Sequence, residues 1–126
     1  MGIVFIWSDE YSVGNEELDS QHRYMFDLGN KIQSAKPSEA RPYVMALYKF
    51  ITAHFNKEEE YLKSIGFPGA AEHQLMHERL ITKLNDLSEG FKPEMLDELI
   101  TFLHNWLVNH ILNEDKRYFD FVRSRI

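Results

Sequence analysis

No cysteine occurs among the 126 residues. That excludes disulfides, zinc–thiolate sites and iron–sulfur clusters, and gives no reason to expect secretion. An excess of positive charge is missing too: 14 lysines and arginines stand against 20 aspartates and glutamates, for a formal net charge of −6. Without a basic stripe to neutralise phosphates, a nucleic-acid partner is not expected. Nor is there a long apolar run. The opening stretch Met1-Gly-Ile-Val-Phe-Ile-Trp7 is short, has no basic flank and leads into Asp9 and Glu10. It reads neither as a signal peptide nor as a membrane span, so no membrane partner is expected and a cytoplasmic location is the default.

What the chain does have is helical period. Residues 1–18 carry Trp7, Tyr11, Val13 and Gly14 with no such period and read as an ordered arm across the fold. Asp19 is the expected N-cap of a first helix to about Ala35, with Met25, Phe26, Leu28 and Ile32 as its buried stripe. Lys36-Pro-Ser38 breaks it, and Ser38 is expected to cap a second helix to about Ile65, with Pro42 tolerated in the first turn. Along that helix Val44, Leu47, Tyr48, Ile51, His54, Phe55, Glu58 and Leu62 recur at spacings of three and four, so a histidine and a glutamate ride on its apolar face. After the stop Gly66-Phe-Pro-Gly69, a third helix is expected from about Ala70 to Ser88, with His73, Leu75, Met76, His77, Leu80, Ile81, Leu84 and Leu87 inward. Gly90-Phe-Lys-Pro93 leads into a fourth through Leu96, Leu99, Ile100, Leu103, Trp106, Leu107 and His110, and a short fifth runs from Asp115 to about Arg123. The expected architecture is all-α: one domain over residues 1–126, an up-down-up-down four-helix bundle with an N-terminal arm and a short C-terminal helix.

Five of the six histidines and two carboxylates form one spaced series: His22, then His54 and Glu58, His73 and His77, His110 and Asp115. Positions i and i+4 lie ~40° apart around a helix and ~6 Å along it, so His73 and His77 can converge, as can His54 and Glu58. Taken singly, each pair is also what ordinary polar residues produce. His110 and Asp115 are five apart, ~140° on a straight helix, and can share a site only if the helix breaks near Leu112-Asn113 or a π-bulge intervenes. Glu59 and Glu60 read as solvated charge, and His104, ~120° around from His110, as a non-ligand. Gln21, Asn109 and Tyr118 are candidates for hydrogen bonds to ligands, and the methionines at 25, 45, 76 and 95 read as core filler. Together the pieces change the reading. Buried imidazoles and carboxylates recurring on every helix make sense when cations neutralise the carboxylates and take the imidazole lone pairs. Ligands without thiol suit a non-haem metal such as iron or manganese, and seven are too many for one ion.

The series His, H-x-x-x-E, H-x-x-x-H, H-x-x-x-x-D resembles the hemerythrin signature. Trp7, Val13-Gly14 and Asp19-Ser-Gln-His22 are similar to that family's opening, and Trp106-Leu-Val-Asn-His110-Ile and Asp115-Lys-Arg-Tyr118 to its closing segment. Length and the lack of a signal peptide suit its bacterial branch. The resemblance implies a cofactor of two iron ions, ferrous or ferric, with an oxo or hydroxo bridge. It assigns His73, His77 and His110 to one iron, His22 and His54 to the other, and Glu58 and Asp115 to both. Six bonds against five would then leave one vacancy for the implied partner, dioxygen, on the iron with fewer histidines. Phe55, Trp106, Leu107 and Ile111 flank the ligands and are the expected wall of that oxygen pocket, although plain core packing suits Phe55 and Ile111 as well. The expected function is reversible dioxygen binding for carriage, storage or delivery. An oxygen- or redox-sensing module acting on an output domain or partner protein is the alternative, and a di-iron oxidase or peroxidase a third.

Overall fold

The computed structural model describes residues 4–125, apart from the side chain of Ser88; Met1, Gly2, Ile3 and Ile126 of the expected domain lie outside it. Helices account for all regular structure among the described residues: α1 Glu16–Ser34, α2 Arg41–Ser64, α3 Ala70–Glu89, α4 Leu96–Asn109 and the short α5 Lys116–Arg123. α2 packs against α1 and α3, and α1 against α4, giving the up-down-up-down bundle. Its core is the set of inward stripes, with Met25, Ile32, Ile51, Leu80, Ile100, Leu103 and Leu107 all but sealed from solvent. None of these helices is long and apolar enough to cross a membrane.

Three helix starts differ from expectation. α1 begins four residues before its expected first turn, because Asn15, not Asp19, caps it by accepting from Leu18 N–H. Asp19 instead lies buried within the helix and accepts from Val13 N–H at 2.9 Å and the Ser12 hydroxyl at 2.6 Å, which ties down the arm. Ser38 sits in a separate 3₁₀ turn, Pro37–Glu39, and α2 starts after Ala40 with no side-chain cap. Pro93 likewise opens a 3₁₀ turn, Pro93–Met95, ahead of α4. Leu75, expected inside, is 50% exposed, and of the four candidate filler methionines only Met25 is buried, the others being half-buried.

The arm is ordered by specific pairing. Asn30 of α1 uses its side-chain amide as a strand uses its backbone, accepting from Phe5 N–H and donating to Phe5 O, both at 2.8 Å. The Phe5 ring then lies where a Cβ on Gly29 would come within 2.5 Å, so only glycine lets the arm approach α1 this closely. Gly14, at φ 74°, turns the chain back into the helix.

Candidate metal centre

Four elements converge at one end of the bundle, where α1 and α3 begin and α2 and α4 finish. His54 and Glu58 come from α2, His73 and His77 from α3, and His22 from α1. The decisive local feature lies after α4. Residues His110–Asp115 form a π-helical turn running straight into α5, so the helix neither stays α-helical nor breaks at Asn113. With i→i+5 bonding, a spacing of five is about one turn, and His110 and Asp115 face the same way. All seven side chains are buried.

Their ligating atoms fall into two groups. Glu58, His73, His77, His110 and Asp115 make one, and His22, His54 and Glu58 the other. In the first, His73 Nε2 is 3.0 Å from Glu58 Oε1, 2.9 Å from Asp115 Oδ1 and 3.2 Å from His110 Nε2, while His77 Nε2 is 3.0 Å from Glu58 Oε1. In the second, the other carboxylate oxygens are used: Glu58 Oε2 stands 3.5 Å from His54 Nε2 and 3.6 Å from His22 Nε2, and Asp115 Oδ2 3.4 Å from His22 Nε2. Each carboxylate thus turns one oxygen to each group.

The donor set fits a pair of cations. Donors ~2.1 Å from one ion at adjacent octahedral corners stand about 3 Å apart, the spacing of the first group. Three buried atoms, His22 Nδ1, His77 Nε2 and Asp115 Oδ1, have no hydrogen-bond partner; the last two face the first group. Electrostatics agree. Burial pushes Glu58 up, but the facing imidazoles of His22, His54, His73 and His77 outweigh it and hold the carboxyl well below its usual range. Burial and Glu58 raise Asp115, yet His110 and His73 pull it low. Burial draws His73 down, and Asp115 and Glu58 reverse this, lifting it to about 10. His22 is raised by the same opposition, with Glu58 and Asp115 prevailing over burial, whereas at His54 burial wins and the pKa falls. Two buried anions therefore hold protons where metal charge would serve.

Outer contacts fix these rings. Tyr118, fully buried, donates to Glu58 Oε2 at 3.0 Å, and its own pKa is driven well up by burial and then by Glu58 and Asp115. Gln21 meets His54 Nδ1 at 2.6 Å. Glu59, expected to be solvated, instead meets His77 Nδ1 at 2.9 Å, whereas Glu60 is exposed as expected. Asn109 faces solvent, and His104 packs edge-on against Phe5 at 5.0 Å, outside both donor groups. Phe55 stacks flat on His77 at 3.6 Å and Trp106 on His110 at 4.3 Å, with the two rings 5.9 Å apart. Trp106 is half-buried and, with Met76 and Phe102, lines an open groove of about 500 Å³ that reaches His110. Leu107 and Ile111 are sealed in the core.

Fold and site together define a helical-bundle protein with a buried histidine–carboxylate cluster able to hold metal. Residues 13–122 match the family model for the Hemerythrin HHE cation binding domain. The chain belongs to the hemerythrin family. It is 28% identical to a bacteriohemerythrin of Clostridium acetobutylicum, covering 93% of this chain and 100% of that protein. A bacteriohemerythrin of Stenotrophomonas maltophilia is 30% identical over 98% of this chain and 84% of its own length, and a hemerythrin-like protein of Naegleria gruberi 31% identical over 90% of each. The crystal structure of wild-type hemerythrin superposes with a TM-score of 0.83 at 28% identity, covering 94% of this chain and 97% of that one.

Proposed function

We propose that residues 1–126 form one domain that binds dioxygen reversibly at a non-haem di-iron centre, for carriage, storage or delivery. The observation that carries this reading is the splitting of Glu58 and Asp115, one oxygen of each toward each of two donor groups. His73, His77 and His110 would hold one iron, His22 and His54 the other. The irons would supply reversible coordination of dioxygen and the electrons that accompany it. The chain supplies the rest. Two carboxylates offset half of the charge of two divalent cations, and five neutral imidazoles supply lone pairs without adding charge. Tyr118 keeps Glu58 Oε2 in place through its hydroxyl. Leu107 and Ile111, beside His110, exclude water, while Phe55 and Trp106 cover the rings of His77 and His110. The His22–His54 side is one imidazole poorer, and there dioxygen would have room. Histidine outnumbering carboxylate favours binding over the turnover of carboxylate-rich di-iron enzymes. Anaerobic iron loading followed by oxygen titration tests it: uptake of one dioxygen per two irons, with release under vacuum, is expected. Consumption of oxygen without release would replace the reading with oxidase chemistry.

One contact favours a second reading, oxygen or redox sensing. Lys116, next to Asp115, donates to Ser12 O at 2.6 Å, so the arm is attached one residue from a shared carboxylate. Amide exchange in the arm that changes between deoxy and oxygenated protein would support it.

A further inference from the structure

The imidazoles that present Nε2 to the centre differ in what holds Nδ1. His54 Nδ1 meets the neutral amide oxygen of Gln21, and His77 Nδ1 meets the carboxylate of Glu59. With Nε2 turned inward, the ring proton of each sits on Nδ1 and is donated outward. A carboxylate acceptor draws on that proton, raises the basicity of Nε2 and sets a negative charge one ring away from a cation. An amide does the first weakly and the second not at all. Glu59 is 19% exposed, and among the described residues its ion pair is with His77. Phe55, stacked on the His77 face, keeps water from that side of the ring, while Glu59 itself borders an open groove beside Gln74.

We propose that Glu59 is a positioning residue acting through His77: it makes the His73–His77–His110 half of the centre the stronger donor and favours the higher oxidation state there, while Gln21 sets no such charge on His54. This rests on the di-iron reading above. The variant Glu59→Gln keeps size and acceptor but removes the charge. In iron-loaded protein its midpoint potential should move positive, and affinity for zinc, a redox-silent probe, should fall about tenfold. Glu59→Ala should move the potential as far, since the same charge is gone, with zinc affinity falling up to ~100-fold. Gln21→Glu should move the potential the other way. Two irons per chain with a potential unmoved by Glu59→Gln would overturn the role of Glu59 and leave the di-iron reading standing. Wild-type protein that loads fewer than two metal ions would overturn both.

Discussion

The two ends of this bundle are made from the same four stripes and solve opposite problems. At one end Ile32, Val44, Leu47, Leu84, Leu99, Ile100 and Leu103 pack as plain apolar core. At the other, the stripes carry five histidines and two carboxylates, equally buried. Burying ionisable groups is unfavourable unless they are paired, and here they are paired chiefly with one another. The apolar end supplies the folding free energy that lets the polar end exist, and the polar end is the part a cation would stabilise. Stability and binding are thus separated along the bundle axis.

The strongest way to break that division is Glu58→Ala, which removes the side chain common to both donor groups. Metal content by elemental analysis should fall to near zero while the helical far-UV spectrum persists. The affinity loss should exceed the ~10–100-fold typical of outer hydrogen-bond partners. Retention of two ions would show that Glu58 is not shared. The counterpart at the far end is Leu103→Ala, expected to lower unfolding free energy by about 2–5 kcal/mol in urea titrations with metal stoichiometry unchanged. Stripping metal from wild-type protein should act in the reverse sense. At metal concentrations near 1,000 times Kd the loaded form gains ~4 kcal/mol. Its loss should appear as faster amide exchange around His54–Glu58 and His110–Asp115, not around Leu99–Leu103.

How much of this was legible in the sequence depends on whether a side chain's fate is decided within its own helix. His54 and Glu58 share a helix face by arithmetic, and the five-residue step from His110 to Asp115 demanded a break or a π turn; the chain forms the π turn. The start of α1 departs from expectation because Asn15 and Asp19 are both good caps by type. Only the folded-back arm, offering Val13 N–H and the Ser12 hydroxyl, decides that Asp19 serves the arm instead. Glu59 and Glu60 are indistinguishable locally; the packing of α2 on α3 sets the first against His77 and leaves the second in water. Gln21 reaches His54 across to the next helix for the same reason. Leu75 lies two residues from both His73 and His77, ~200° around the helix from each, so helix geometry turns it outward whatever its apolar character suggests. Single-helix geometry was readable, and contacts between helices were not.

Two smaller substitutions sharpen the contrast inside the polar end itself. Leu107→Ala opens a sealed position three residues before His110. Easier entry of water and protons should speed autoxidation of the oxygenated form about tenfold, equivalent to ~1.4 kcal/mol in barrier. An unchanged rate would return Leu107 to ordinary core.

Tyr118→Phe should do least, and its size discriminates between two views of Glu58. The ring packs edge-on against Tyr61 and Phe67, contacts that phenylalanine keeps, so only the hydroxyl bond to Glu58 Oε2 is lost. In metal-free protein that oxygen keeps imidazole neighbours only at 3.5 and 3.6 Å, and losing a bond to a charged acceptor should cost about 1.5–3 kcal/mol of stability. Once Oε2 is bound to metal, the ion supplies what the hydroxyl gave, and the loss should shrink to ~1 kcal/mol or less. Thermal unfolding of both forms reads the difference directly. An equal loss with and without metal would mean that Oε2 gains nothing from the ion, which is incompatible with a carboxylate divided between two cations.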